Sequence, residues 1–273
     1  MRSFAIGDAR VGGAALAVIA GPCVVEDEDT TLRVAERLKT LCAARELPLI
    51  FKASYRKANR SSARSFEGLP RERALETLAR VRRDFAVPVL TDVHAVDEVE
   101  AAARVCDALQ VPAFLSRQTD LLQACARSGR AVNVKKGQFL APDDMGRVVE
   151  KLTAAGAERI LLTERGTTFG YHDLVVDMRS LVVMRGLDWP VVYDATHSLQ
   201  RPGAGEQSGG DRRFAFALMR AAVACGVDAL FFETHPDPER ALSDAATQLP
   251  LEQAGEFLDQ ARRVREALVP STV

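Results

Sequence analysis

The chain has 273 residues, 47% hydrophobic and 27% charged, with 36 basic against 37 acidic side chains and a formal net charge of −1. That length fits one large domain or two small ones, and the apolar share excludes a disordered chain. The balanced charge leaves no footprint for nucleic acid or an anionic membrane, no apolar run approaches the ~20 residues that span a bilayer, and the five scattered cysteines make no disulfide framework.

The start, MRSFAIGDARVGG, has no apolar segment ahead of a small-residue cleavage site, so a cytoplasmic protein is expected, in keeping with the reduced cysteines. Residues 1–16 read as an extension containing a hairpin around GDARVGG. Short apolar runs then recur: VIAGPCVV (18–25), PLIFKASY (48–55), PVLTDVH (88–94), ALQVPAF (108–114), AVNVKKG (131–137), RILLTER (159–165), VVYDAT (191–196) and ALFFETH (229–235). Such nearly continuous runs suit parallel strands buried on both faces. Between them the apolar residues fall at helical spacing, as in Leu32, Ala35, Leu38 and Leu41, or Leu75, Leu78 and Val81. Helix starts are marked by Pro142 with Asp143 and Asp144, and by Pro250. The last helix carries Leu251, Phe257, Leu258 and Val264 on one face.

Eight strand–helix repeats of about 30 residues predict a single α/β domain over residues 1–273, a (β/α)8 TIM barrel with the N-terminal β-hairpin closing its bottom. A doubly wound sheet is the rival, but the turn after its first strand should be rich in glycine, and here it reads AGPCVVED.

Reactive side chains gather at strand ends. Only six residues are lysine, and four of them, Lys52, Lys57, Lys135 and Lys136, lie at or just past predicted strands. His94, His197 and His235 close strand segments, and His172 follows the sixth. Strand C-termini form the catalytic face of a barrel, and ammonium groups there suit phosphate or carboxylate. Cys23, His197, Glu233 and Asp244 offer a thiolate, an imidazole and two carboxylates from adjacent strands, a set able to surround one divalent cation. Taken singly, each has a plainer role, such as a small buried thiol or a strand-end hydrogen bonder. The stretch FKASYRKANRSS (51–62) has four cations with hydroxyls and amides, which suits a phosphorylated substrate or a solvated basic loop. With Lys135 and Arg165 on the same face, two anionic groups are expected to bind, one deep and one peripheral.

That string, with PAFLSRQTDLL (112–122), NVKKGQF (133–139), ERGTTFGYHDLVVDM (164–178), DATHSLQ (194–200) and FFETHPDPERALSD (231–244), resembles the 3-deoxy-D-manno-octulosonate 8-phosphate synthases over almost the whole chain. KANRSS is its most discriminating piece. The sister 3-deoxy-D-arabino-heptulosonate 7-phosphate synthases share AGPC but carry a Lys-Pro-Arg-Thr type of string at that point.

The resemblance implies a transferase that condenses phosphoenolpyruvate with arabinose 5-phosphate and water, a homotetramer serving lipopolysaccharide synthesis. It implies one divalent metal ion per subunit (iron, zinc, manganese or cobalt) on Cys23, His197, Glu233 and Asp244, because the metal-independent branch has Asn in place of Cys23. Lys135, Arg165 and the Ala113 N–H are implied to hold the phosphate of phosphoenolpyruvate, with Lys52, Ser54, Lys57 and Gln138 around its carboxylate and reacting carbons. Asn59, Arg60 and Ser61 are implied for the sugar phosphate, Arg117 from a neighbouring subunit, and Asp92 as an orienting carboxylate. The implied catalytic set is Lys52, Lys57, Asp92, His197 and Asp244. Two departures stand out: Glu67-Gly68-Leu69-Pro70 replaces an Arg-Gly-x-Gly loop, and His172 replaces a residue more often Asn or Asp. The heptulosonate synthase, and a sugar-phosphate-binding barrel without catalysis, remain the alternatives.

Overall fold

The computed structural model describes residues 1–59, 66–202 and 209–268. A hairpin comes first, β1 (Phe4–Ile6) antiparallel to β2 (Ala9–Val11). Eight parallel strands and eight helices then alternate. They are β3 (Ala17–Gly21) with α1 (Glu28–Ala43), β4 (Leu49–Lys52) with α2 (Arg71–Phe85), β5 (Val89–Asp92) with α3 (Val99–Val105), and β6 (Ala108–Val111) with α4 (Thr119–Arg127). The second half has β7 (Ala131–Lys135) with α5 (Met145–Ala154) and β8 (Ile160–Glu164) with α6 (Met178–Arg185). Two small hairpins interrupt it, β9 (Thr167–Thr168) with β10 (Leu174–Val175), and β12 (Gln200–Arg201) with β13 (Gly209–Gly210). They flank β11 (Val191–Asp194), whose helix is α7 (Ala215–Ala224); β14 (Ala229–His235), the short β15 (Leu249–Pro250) and α8 (Ala254–Leu268) complete the chain.

Each barrel strand pairs with the next, and β14 pairs with both β11 and β3, so the sheet closes on itself. Closure excludes the doubly wound alternative, which leaves two open edges. All eight expected strands are present. The expected runs overshoot the strand ends because the chain stays buried beyond them: Val24 still bridges Ser54, and Val25 N–H donates to the Ser54 carbonyl.

The pleat sorts the side chains. Along β7, Val132 and Val134 face the helices while Ala131, Asn133 and Lys135 turn inward. Outside the wall, α1 buries Val34, Ala35, Leu38 and Leu41, and its N-cap Asp27 accepts the Thr30 N–H at 2.7 Å. Inside, the lower lumen is filled by Ile19, Ile50, Leu90, Leu161, Val192 and Phe231, against which the hairpin packs Ile6, Ala9 and Val11. The hairpin therefore plugs the bottom, and the ligand face is the other end.

Candidate functional site

The upper lumen opens into a cavity of about 460 Å³. Lys52, Lys57, Asn59, Asp92, Ala113, Lys135, Gln138, Arg165, Asp194, His197 and Asp244 all line it. Ten candidate residues from distant parts of the chain thus meet at one rim, because every barrel strand delivers its inward C-terminal residue to the same end.

Asp194, at the end of β11, organises one side. Its Oδ1 accepts the backbone N–H groups of Thr196 and His197 at 3.1 and 2.9 Å. Its Oδ2 pairs with the Lys135 ammonium and lies 2.9 Å from His197 Nδ1. Burial alone would raise the Asp194 carboxyl, yet His197 and Lys135 hold it well below the ordinary carboxylate value. Lys135 also sits 3.2 Å above the Phe231 ring centroid. Burial brings its ammonium down to about 8, with Asp194 opposing the shift. Arg165 differs in having no carboxylate partner among the described residues. Its Nη2 donates to Gln200 Oε1 at 2.5 Å, and its Nη1 is buried without a protein partner. Gln138 Oε1 is likewise buried and unpaired. Ala113 opens a one-turn helix (Ala113–Leu115), whose first N–H groups have no acceptor within the turn.

The adjoining side, reached through His197, carries the donor cluster. One oxygen each from Glu233 and Asp244 and the Cys23 Sγ lie within 4.8 Å of one another. His197 Nε2 is 3.6 Å from Glu233 Oε1 and 3.6 Å from Asp244 Oδ2. The Cys23 thiol donates to Asp244 Oδ2 at 3.2 Å and sits 2.8 Å from Ser243 Oγ. Burial pushes this thiol well above its usual value, and the Asp244 and Glu233 charges push it further. A cation among these atoms would cancel that repulsion and take the thiolate. Glu233 Oε2 is buried with no partner among the described residues, while Oε1 accepts from Lys52 Nζ at 2.7 Å. Despite burial, Lys52, His197 and Lys57 keep Glu233 ionised. Asp244 has φ 48°, a left-handed conformation that few non-glycine residues adopt, so the loop turns sharply where this carboxylate is needed. Sulfur, nitrogen and two oxygen donors with an unsatisfied lone pair fit a divalent ion.

Lys57 lies by the donor cluster and Asp92. Burial opposes its charge, but Cys23, Glu233, Asp92 and Asp244 raise it above the ordinary ammonium value. Asp92 Oδ2 meets His94 Nε2 at 3.0 Å, and Oδ1 is unpaired. The Glu67–Pro70 departure acts through its backbone: the Glu67 carbonyl accepts the Lys57 N–H at 2.6 Å. Gly68 has φ 137°, and a Cβ there would lie 2.8 Å from the Tyr55 carbonyl, so only glycine fits. His172 lies at the rim, its Nδ1 2.7 Å from the Pro202 carbonyl.

Two expectations change. Ser54 does not line the cavity; it is buried behind Lys52, whose Nζ donates to Ser54 Oγ and to the Cys23 carbonyl, each at 3.1 Å. Lys136 faces away from the lumen, as the pleat requires of the neighbour of an inward Lys135. Arg117 is exposed and outside the cavity of its own chain. Arg60 and Ser61 lie outside the described residues. His94 and Arg56, gathered by the strand-end and basic-stretch readings without a role of their own, line the cavity wall. Sequence reading missed Gln200 in that wall and Ser243 beside Cys23.

Fold and site together define a class: barrel proteins whose open end carries a cation-lined cavity beside a cluster of metal-type donors. The chain belongs to the DAHP synthetase I family, whose model matches residues 5–269. It is 55% identical to the 2-dehydro-3-deoxyphosphooctonate aldolase of Trichlorobacter lovleyi over 252 residues, 92% of this chain and 93% of that protein. The protein of that name from Geobacter metallireducens is 52% identical over 265 residues, 96% and 97% of the two chains. That from Syntrophotalea carbinolica is 55% identical over 257 residues, 93% of each.

Proposed function

We propose that this chain condenses phosphoenolpyruvate with D-arabinose 5-phosphate and water, giving 3-deoxy-D-manno-octulosonate 8-phosphate and inorganic phosphate. The observation that carries this reading is Arg165, a buried cation with an unpaired Nη1, facing a cavity shared with Lys135, Gln138 and Lys57. The relatives' name, 2-dehydro-3-deoxyphosphooctonate aldolase, supports the eight-carbon product of this reading.

In this reading Lys135, Arg165 and the Ala113 N–H hold the phosphate of phosphoenolpyruvate. Lys52, Lys57 and Gln138 surround its carboxylate and reacting carbons, and Ser54 acts by fixing Lys52. Asn59, with Arg60 and Ser61, takes the sugar phosphate. Asp92, pinned by His94, orients the sugar. Holding both reactants in line is worth roughly 7–11 kcal/mol. C3 of the enol bonds to the aldehyde carbon, whose oxygen takes up a proton and becomes a hydroxyl. Water adds to the electron-poor C2 and gives up a proton. Phosphate then leaves by C–O cleavage, retaining its bridging oxygen.

One divalent ion per subunit, iron, zinc, manganese or cobalt, would be held by Cys23, His197, Glu233 and Asp244. When bound it supplies Lewis acidity to a carbonyl or water oxygen in the cavity. The thiol at Cys23, where the metal-independent branch has Asn, supports the metal-dependent reading. Phe114, Phe139, Phe169 and Tyr171 are exposed on loops that follow β6, β7 and β8, a pattern that supports association. We read the chain as one barrel domain of a cytoplasmic homotetramer in lipopolysaccharide synthesis, with Arg117 reaching a neighbour's sugar phosphate. No described helix is long and apolar enough to cross a membrane.

The test is phosphoenolpyruvate consumption with arabinose 5-phosphate and with erythrose 4-phosphate, each with and without chelator. Faster turnover of erythrose 4-phosphate overturns the substrate reading. Full activity after complete metal removal overturns the metal reading. Labelled water oxygen is expected at C2 of the product; finding it in released phosphate rejects the mechanism.

A further inference from the structure

Lys136 is a buried cation that the site just described does not use. Its side chain is fully inaccessible on the outer side of the barrel wall. Its Nζ donates to the carbonyls of Leu140 at 3.2 Å and Gly137 at 3.4 Å, and to the Thr167 hydroxyl at 3.0 Å. Glu164 Oε1 lies 3.6 Å away. Glu164 is committed as well: Oε1 accepts the Gly166 N–H at 2.7 Å and Oε2 accepts the Ser180 hydroxyl at 2.6 Å. Gly166 has φ 95°, so this is a tight turn that glycine permits.

The contacts of Lys136 all fall on two segments, 137–140 and 164–167. The first carries Gln138 and the second Arg165. The Thr168 N–H adds a direct link to the Gln138 carbonyl at 3.0 Å. The first segment is also wedged against the turn that opens at Ala113, since a Cβ on Gly137 would lie 3.1 Å from the Ala113 carbonyl. Three pieces of the anion pocket are therefore set by one laced pair of loops, and Lys136 is the knot.

An apolar pair of similar volume would fill the same space without desolvating two charges, and such replacements are often neutral or stabilising. It would not tie the carbonyls of one loop to the hydroxyl of the other, which the several donors of one ammonium do here. We infer that Lys136, with Glu164, is a positioning pair that sets the separation of Gln138 and Lys135 from Arg165, and so controls affinity for phosphoenolpyruvate and phosphate. The inference rests on the reading that places the phosphate at Lys135 and Arg165.

The test uses the full chain as Lys136→Met/Glu164→Gln, which removes both buried charges together, and Thr167→Val, which removes one tie at an exposed residue. Thermal unfolding, KM for each substrate and inhibition by inorganic phosphate are measured for both. For the double variant we expect near-unchanged melting, with KM for phosphoenolpyruvate and the phosphate inhibition constant both rising about tenfold or more, because small misplacements of positioned groups are costly. KM for arabinose 5-phosphate should stay within about threefold, and Thr167→Val should raise the same two constants by about two- to fivefold with melting unchanged. Should the double variant fail to fold, Thr167→Val decides alone. Unchanged phosphoenolpyruvate and phosphate constants overturn the inference, and so does an equal rise for both substrates alongside lowered melting. Lys135→Ala is the control. If it weakens phosphoenolpyruvate binding and the Lys136 and Thr167 variants do not, the positioning role alone falls. If Lys135→Ala also leaves binding intact, the phosphate reading falls and takes the inference with it.

Discussion

In the lower lumen the inward residues of β4, β5 and β11 are Ile50, Leu90 and Val192; two residues further along the same strands they are Lys52, Asp92 and Asp194. The lower set has no side-chain polar atom and is sealed by the hairpin. The upper set is charged, buried and cross-paired, with lone pairs and N–H groups at Asp92, Gln138, Arg165 and Glu233 left over among the described residues. Buried polar groups are normally all partnered. One pleat step therefore separates residues that need no ligand from residues that do, and changes in the two halves should have different readouts.

The largest effect is expected from Cys23→Asn. It removes the sulfur donor, and metal affinity should fall by more than the about 10–100-fold that loss of an outer partner costs. Equilibrium dialysis against zinc checks this, and an unchanged affinity removes Cys23 from the ligand set. Next comes Leu90→Ala in the lower half. It should cost about 2–5 kcal/mol in denaturant unfolding, while KM for phosphoenolpyruvate holds steady below the melting range. A large KM change there would break the division between the halves. Lys135→Ala should show the reverse emphasis, weakening phosphoenolpyruvate binding by about 1.5–3 kcal/mol, roughly 10–150-fold, in direct titration.

The smallest effect is the pH dependence. The Lys135 ammonium, brought down to about 8 by burial, is charged below that pH and neutral above it. Affinity for phosphoenolpyruvate should thus be flat below about pH 8 and fall above it, by at most about tenfold per pH unit for a single proton. In Lys135→Ala this bend should disappear. A bend that persists assigns the titration to another group.

Much of the fold was legible because a parallel barrel buries each strand on both faces, which turns strands into unbroken apolar runs. The small hairpins β9–β10 and β12–β13 were not, since two-residue pairings such as Leu174 with Thr168 leave no period to read. Within the site, the strand-end bias found Lys52 and Lys135 because strand C-termini share one face. It also gathered Lys136, although neighbouring strand residues must point to opposite sides. Gln200 and Ser243 carried no signal. Their roles depend on where loops cross, as when Gln200 meets Arg165, 35 residues away in sequence. The geometry of the Glu67–Pro70 loop was beyond a sequence reading because its contribution is a carbonyl.

Among the described residues, the hairpin that packs Ile6, Ala9 and Val11 under the strands closes the bottom of the barrel, so the doorway is at the other end. Reactants and products must all pass through it. A ligand seated on buried Lys135 lies beneath one seated on exposed Asn59, so the inner reactant has to arrive first. Steady-state kinetics should then show compulsory-order traffic, imposed by a three-residue-a-side ribbon at the far end of the protein.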